Sequence, residues 1–374
     1  MNRERIESFI EDFYKDFSGV RFDKWNYEDG CILIAAMQLY QATGRELFRD
    51  FVVGYMDKYV LEDGTIQHYK KEDYNLDNIA PGRALLFAYE QTGREKFMKA
   101  AQELMDQLLH HPRTASGNFW HKKIYPNQVW LDGLFMAQPF FMAYETKYGK
   151  KEHYIDIASQ FYNVRKYMFD EEAKLYYHGY DESREVFWAD PVTGRSKNFW
   201  LRATAWYQMA IVDTLEAMSI SIYEDYRGLA DLYAEGIKGL LRCQDKDTGL
   251  FYQVLNLPGA EGNYQETSGS AMLAASIMKA CRQKVLLPEK YWHVGEAILD
   301  SVIERKLSRT PEGFELKDCC RVAGLGPAKD HRRDGSVEYY LSEPNVLNDN
   351  KAIAALFMAY AQYLLGRQTI SEIA

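Results

Sequence analysis

The alternation of apolar and polar positions divides the chain into a repeating unit: an apolar helix, a turn, then a second helix with a strongly charged face. YEDGCILIAAMQLYQATGRELFRDFVVGYMDKYV begins near Tyr27, and YNLDNIAPGRALLFAYEQTGREKFMKAAQELMDQLL begins near Tyr74. The Thr-Gly-Arg-Glu of residues 43–46 recurs at 92–95. A looser copy starts at Trp130 and turns at Tyr148-Gly149. Two more divergent units follow: RATAWYQMAIVDTLEAM with EDYRGLADLYAEGIKGLLRC, and ETSGSAMLAASIMKA with YWHVGEAILDSVIERK. NDNKAIAALFMAYAQYLLG closes the series without a charged partner after it. The amphipathic start, a helix over roughly Asn2 to Phe17, supplies that partner from the other end of the chain. A fixed period of this kind marks a repeat architecture.

Helices that are apolar all round are buried, whereas those with one apolar stripe lie on a surface. Six of each predict an all-α fold, a closed (α/α)6 barrel, built as one domain over residues 1–374. An open solenoid needs polar caps at both ends, and the apolar final helix argues against one. Few stretches read as strands, although LYYHGY (175–180) and GLFYQVL (249–255) can pair as short ribbons in loops. DCCRVAGLGPAKDHRRDGSVEYYLSEPNVLND (318–349) reads as a long loop over the barrel mouth, and loops of that length are usually functional or disordered.

Composition narrows the class of ligand. The net charge of −9 argues against nucleic acid or an acidic membrane surface, which call for a basic face. It leaves room for a small anionic substrate, because a few local cations decide that. The 28 Tyr, 19 Phe and 7 Trp suit stacking on sugars, though a helical core also consumes aromatics. No apolar run resembles a signal peptide or a membrane span. The five cysteines form no CxxC pair, which suits free thiols in the cytoplasm. No His/Cys cluster has metal spacing and no Gly-rich phosphate loop is present, so neither a metal nor a cofactor is expected. Oligomeric state leaves no trace in the pattern.

Polar residues fall at the starts of all six apolar helices: Asp29, Asp77, Asp132, Arg202, Glu266 and Asn348 with Asp349. Helix capping accounts for some of these acids. The same positions also rim one end of the barrel, so both explanations hold together. Asp132 is set among Trp130, Leu131, Gly133, Leu134 and Phe135. Such neighbours keep a carboxyl partly desolvated, favouring a retained proton and a general acid. Asp77 occupies the matching repeat position, and if both acids face the axis each raises the other's proton affinity. His121 and Lys122 lie among Phe119, Trp120 and Tyr125, a mix of aromatic faces and polar groups that suits a sugar. His178 sits in a loop. Trp200, Arg202 and Trp206 come together in NFWLRATAW, where an arginine suits a carboxylate. Core tryptophans and an ion-paired arginine are the plainer alternative, and Arg332 and Arg333 read as solvated charge.

FWHKKIYPNQVWLDGLFMAQPF, HGYDES, WADPVTGRSKNFWLRATAW, ETSGSAM, VAGLG and DGSVEYYLSEPNVLNDNKA together resemble the unsaturated rhamnogalacturonyl hydrolases of glycoside hydrolase family 105. The resemblance runs along nearly the whole chain. It implies an (α/α)6 barrel acting on lyase-generated oligosaccharides that end in a 4,5-unsaturated uronic acid, commonly linked to rhamnose. It further implies that Asp132 protonates C4 of the vinyl ether and then assists water attack at C5. By the same resemblance Asp77 supports that acid. His121, Lys122, His178, Trp200, Arg202 and Trp206 then line the sugar subsite, with Tyr27 counted among them. One departure is Ala205, after Thr204, where the family pattern has glycine. A conventional inverting glycosidase, or a sugar-binding protein with a dead site, are the alternatives.

Overall fold

The computed structural model describes residues 3–16 and 24–371. Its helices alternate as the pattern predicts. The inner ones are α2 (Tyr27–Thr43), α4 (Gly82–Thr92), α6 (Leu131–Lys147), α8 (Leu201–Ala217), α10 (Thr267–Arg282) and α13 (Asn350–Ser371). The outer ones are α1 (Arg3–Asp16), α3 (Glu46–Tyr59), α5 (Glu95–Leu109), α7 (Tyr154–Met168), α9 (Tyr223–Leu240) and α11 (Pro288–Arg305). Each inner helix packs on the next, and α13 packs on both α10 and α2, so the ring closes. The fold is an all-α toroid of six helical hairpins.

The recurring Thr-Gly-Arg-Glu has a physical reading. Thr43 and Thr92 turn their hydroxyls back onto the carbonyls of Leu39 and Ala88 at 2.7 Å. Gly44 and Gly93 then take left-handed φ of 65° and 67° and end α2 and α4, the conformation that glycine adopts without steric cost. Arg45 and Arg94 are extended, and the next helix begins at the glutamate. The inner helices are the more deeply enclosed: in α10 every residue from Thr267 to Cys281 is buried. The outer helices bury a single stripe, as α9 does through Leu229, Tyr233, Ile237 and Leu240.

The N-terminal helix completes the sixth hairpin. Phe9 and Phe13 meet Phe357 of α13 edge-on at 5.2 and 5.4 Å, and the Tyr360 hydroxyl donates to Glu7 at 2.5 Å. Asn2 and Phe17, at the limits expected for this helix, lie outside the described residues.

Among the described residues, four two-stranded ribbons sit in the loops. β1 (Gln128–Trp130) pairs with β4 (Gly179–Asp181), and β2 (Phe169–Asp170) with β3 (Leu175–Tyr176). β5 (Leu307–Thr310) pairs with β6 (Gly313–Leu316), and β7 (Cys319–Cys320) with β8 (Asn345–Val346). Of the two sequence stretches expected to form ribbons, 175–180 does so with other partners, whereas 249–255 makes only isolated bridges. Residues 175–181 join β2 and β1, while Val254 bridges Trp200 and Tyr252 bridges Gln265. The long 318–349 segment holds β7, the short helix α12 (Val337–Ser342) and β8. Among the described residues no helix is long and apolar enough to cross a membrane.

Candidate active site

The N-terminal ends of the inner helices share one mouth, and β1 and β4 assemble its centre. Trp130 lies opposite Gly179, and the Leu131 amide donates to the His178 carbonyl at 3.1 Å. Gly179 is required by proximity, since a Cβ there would lie 2.3 Å from Leu325 and 3.3 Å from Trp130. This pairing brings His178 Nε2 to 3.2 Å from Asp132 Oδ2. The two are close but out of line for a hydrogen bond, and both atoms are buried without another hydrogen-bond partner. On the other side His178 Nδ1 meets the Tyr340 hydroxyl at 2.7 Å. Burial holds the Tyr340 phenol well above its usual range, so it keeps its proton and can donate. When that hydroxyl donates, Nδ1 accepts and a neutral imidazole holds its proton on Nε2, the nitrogen facing Asp132.

His121 stands between the two acids' charges, feeling both Asp77 and Asp132. Its ring stacks on Trp130 at 4.4 Å, and Tyr125 stacks on Trp130 at 4.8 Å. Gly133 admits this packing: a Cβ there would lie 3.0 Å from Leu76 and 3.1 Å from His121 Nδ1. His121 Nε2 is 3.6 Å from Asp77, whose other oxygen takes the Lys122 ammonium at 2.5 Å. A bridge between Asn75 and Lys122 fixes that alignment. Burial alone would lift the Asp77 carboxyl, but Lys122 overrides it and holds the acid below its usual value. Burial would likewise lower Lys122, and Asp77 holds it raised. The expectation that Asp77 joins Asp132 in raising proton affinity is therefore corrected. Asp77 is a charged partner of Lys122, because a cation at contact distance outweighs a neighbouring acid.

His121, and His111 behind it, are pushed down to about 4 from an ordinary 6.5, chiefly by burial. Both are neutral at pH 7. In the unfolded chain they take up protons near 6.5 that the folded chain refuses until about 4. Stability from this source is thus complete above the upper value and falls as pH drops toward the lower one. We predict a loss of up to ~1.4 kcal/mol per pH unit for each histidine across that window. Urea unfolding at pH 7 and pH 5 measures it. His121→Gln should shrink the difference, and an unchanged difference would mean that His121 is charged in the fold.

The remaining candidates differ in depth. Trp200 stacks nearly parallel to Tyr340 at 5.9 Å and beside His178 at 4.8 Å, with its indole N–H buried and unpaired. Tyr27 lies where both Asp77 and Arg202 act on its phenol, which burial holds well above its usual range. The Lys351 ammonium sits over its ring at 5.9 Å. Arg202 and Trp206 are deeper than sequence reasoning implies. The Arg202 side chain is 2% exposed; it donates to Ser268 Oγ at 2.7 Å and to the Cys320 carbonyl, with Glu266 at 3.5 Å. Its Nε and one terminal nitrogen are thus held by protein acceptors, as in the plainer reading of an ion-paired arginine. Trp206 is enclosed against Phe135 at 4.3 Å, and Ala205 is buried within α8.

Two contributors have roles that their motifs do not convey. Tyr340 arrives from α12, within the stretch read as an open loop. Its signal was Ser336, whose side chain caps α12 by accepting from the Tyr339 amide. Glu266 caps α10 through the amides of Ser268 and Gly269 and also accepts from the Cys320 amide. Asp29 is likewise structural: it accepts from Tyr55 and Asn26, both at 2.9 Å.

A cavity of about 590 Å³ opens at the opposite end of the barrel. There Arg83, Lys147 and Arg282 pair with Asp213, Glu90 and Glu216, so its charges cancel. No group of three or more His, Cys, Asp or Glu side chains suited to a metal occurs among the described residues.

The chain was compared with known proteins. The profile described as Glycosyl Hydrolase Family 88 matches residues 2–365. A solved glycoside hydrolase from family 105 of C. acetobutylicum ATCC 824 superimposes with a TM-score of 0.91 at 37% identity, covering 96% of this chain and 99% of that one. The unsaturated rhamnogalacturonyl hydrolase YesR of Bacillus subtilis (strain 168) is 24% identical over 341 residues, 87% of this chain and 92% of its own. The unsaturated glucuronyl hydrolase of Bacillus sp. GL1 shares the fold at 14% identity, with a TM-score of 0.67 over 98% and 97% of the two chains.

Proposed function

The chain belongs to the glycosyl hydrolases of families 88 and 105, and from that premise we propose that it releases a 4,5-unsaturated uronic acid from the non-reducing end of lyase-generated oligosaccharides. The leaving sugar in this reading is rhamnose, as in the fragments of a pectic rhamnogalacturonan. Asp132 gives its proton to C4 of the vinyl ether, and positive charge develops at C5. The carboxylate so formed draws a proton from water as the oxygen adds to C5. The resulting hemiketal opens and frees the leaving sugar, so one acid serves both proton steps.

The observation that carries this reading is the unequal state of the two acids. Asp77 is neutralised by Lys122, while Asp132 faces a histidine that Tyr340 orients. A displacement at the anomeric carbon needs two carboxyl groups with separate proton duties, whereas hydration of a double bond needs one. The neutral imidazole of His121 and the rings of His178, Trp130 and Trp200 supply a largely dry floor. For the substrate's own carboxylate, Lys122 is a better partner than Arg202. Its side chain is 21% exposed, and two of its three N–H bonds lie beyond the one engaged by Asp77.

Turnover is followed without a label by the loss of ultraviolet absorbance of the conjugated double bond. Unsaturated rhamnogalacturonan, galacturonan and glycosaminoglycan disaccharides should be compared with saturated synthetic glycosides. The rhamnose-linked substrate is expected to be consumed fastest and the saturated glycosides not at all. Cleavage of the saturated compounds would replace this reading with that of an ordinary glycosidase.

A further inference from the structure

Beside the catalytic cluster lies a second compartment of the mouth, a cavity of about 890 Å³ between the start of α2 and the 321–350 segment. This is the size of cavity that holds small-molecule ligands. The two compartments are continuous through Tyr27, which lines the cavity and feels the charge of Asp77. They also meet at Gly324. A Cβ there would lie 3.2 Å from the Trp130 ring and 3.4 Å from Arg333 Nη1. The Arg333 guanidinium thus stands close to the tryptophan that precedes Leu131 and Asp132.

The charges of this cavity do not cancel as those at the far end of the barrel do. Its carboxylates are engaged: Glu343 with Arg332 at 2.9 Å, and Glu28 and Asp349 with Lys351 at 2.8 and 2.9 Å. Arg321 is exposed, and no ion pair to it occurs among the described residues. Arg333 also lines the cavity, and among the described residues its one ion pair is to Asp330, at 3.7 Å. Guanidinium N–H groups that no protein acceptor fills can take one from a ligand.

We propose that this compartment binds a second anionic group, carried by the leaving part of the oligosaccharide, through Arg321 and Arg333. The inference rests on the activity proposed above and adds to it: the substrate bears acid beyond its unsaturated ring. The anion is a uronate carboxylate or a sulfate ester, since either fills the donor set of a guanidinium.

The test compares kcat/KM on three unsaturated oligosaccharides of equal length. Their leaving parts carry a uronate, a sulfate ester, or the carboxyl-reduced neutral sugar. Wild type should prefer one acidic form over the neutral one by roughly ten-fold or more, the scale of one charged hydrogen bond. Which acid is preferred names the source. Arg321→Ala/Arg333→Ala should lose most of that ratio, and Arg321→Lys/Arg333→Lys should restore part of it. The ratio cancels any general loss of activity from misfolding. Equal rates on all three by wild type, or a preference unmoved in the alanine variant, would overturn the proposal. If none of the unsaturated substrates is consumed, the proposed activity fails with it. Calorimetry with saturated oligouronate and its reduced form, on wild type and the alanine variant, then decides the anion site alone. Equal binding of the two forms overturns it.

Discussion

Asp132→Asn is expected to fold as the wild type does, to bind substrate, and to lose turnover by roughly 10²–10⁴-fold, the usual worth of a positioned acid or base. The upper part of that range is the expected one, because the same carboxyl serves both proton steps. Asparagine preserves the shape of the side chain in the first turn of α6, so the stacked His121, Trp130 and Tyr125 have no reason to move. It cannot give a proton to carbon or take one from water. The check is single-turnover and steady-state decay of the double-bond absorbance, with calorimetry reporting binding separately. A variant that kept more than about a tenth of the wild-type rate would remove Asp132 from the acid's role.

Glu266→Ala is expected to cost stability more than any other single change at the mouth. The Glu266 and Arg202 side chains are 0% and 2% exposed, and Glu266 also holds the amides of Ser268, Gly269 and Cys320. Removing it leaves a guanidinium buried without a counter-charge and α10 without its cap. Breaking a buried pair from one side costs about 3–5 kcal/mol, and a lost cap adds roughly 0.5–2 kcal/mol. Denaturant unfolding measures the sum. The double variant Arg202→Met/Glu266→Met should recover part of the loss, since no uncompensated charge remains. If Glu266→Ala unfolds at the wild-type midpoint, water or another acid is meeting Arg202.

The fold was legible because its signal is periodic. Six apolar stretches, and the Thr-Gly turns after Thr43 and Thr92, state the hairpins almost one by one. The ribbons were less so. Leu175–Tyr176 and Gly179–Asp181 choose Phe169–Asp170 and Gln128–Trp130 as partners through contacts distant in sequence. In the site, Asp132, His121, Lys122 and His178 do converge. What spacing could not convey is which charges find partners inside the protein. Asp77 and Arg202 look alike on the page as lone charges at helix starts. The structure gives the first a lysine and the second a glutamate with a carbonyl. Tyr340 was hidden because its role depends on where a long connection folds back.

The seating of α13 between α2 and α10, with α1 against its outer side, also sets an order in time. The first hairpins can form from contacts close in sequence, but the ring is shut only by groups more than 300 residues apart, such as Glu7 with Tyr360 and Gln38 with Gln362. Loops of that length close at a high entropic cost and late in folding. During synthesis the apolar inner faces of α2 and α10 therefore wait, uncovered, for the last helix to emerge. That interval is when this chain is most exposed to aggregation and to chaperones, long before any sugar reaches the mouth.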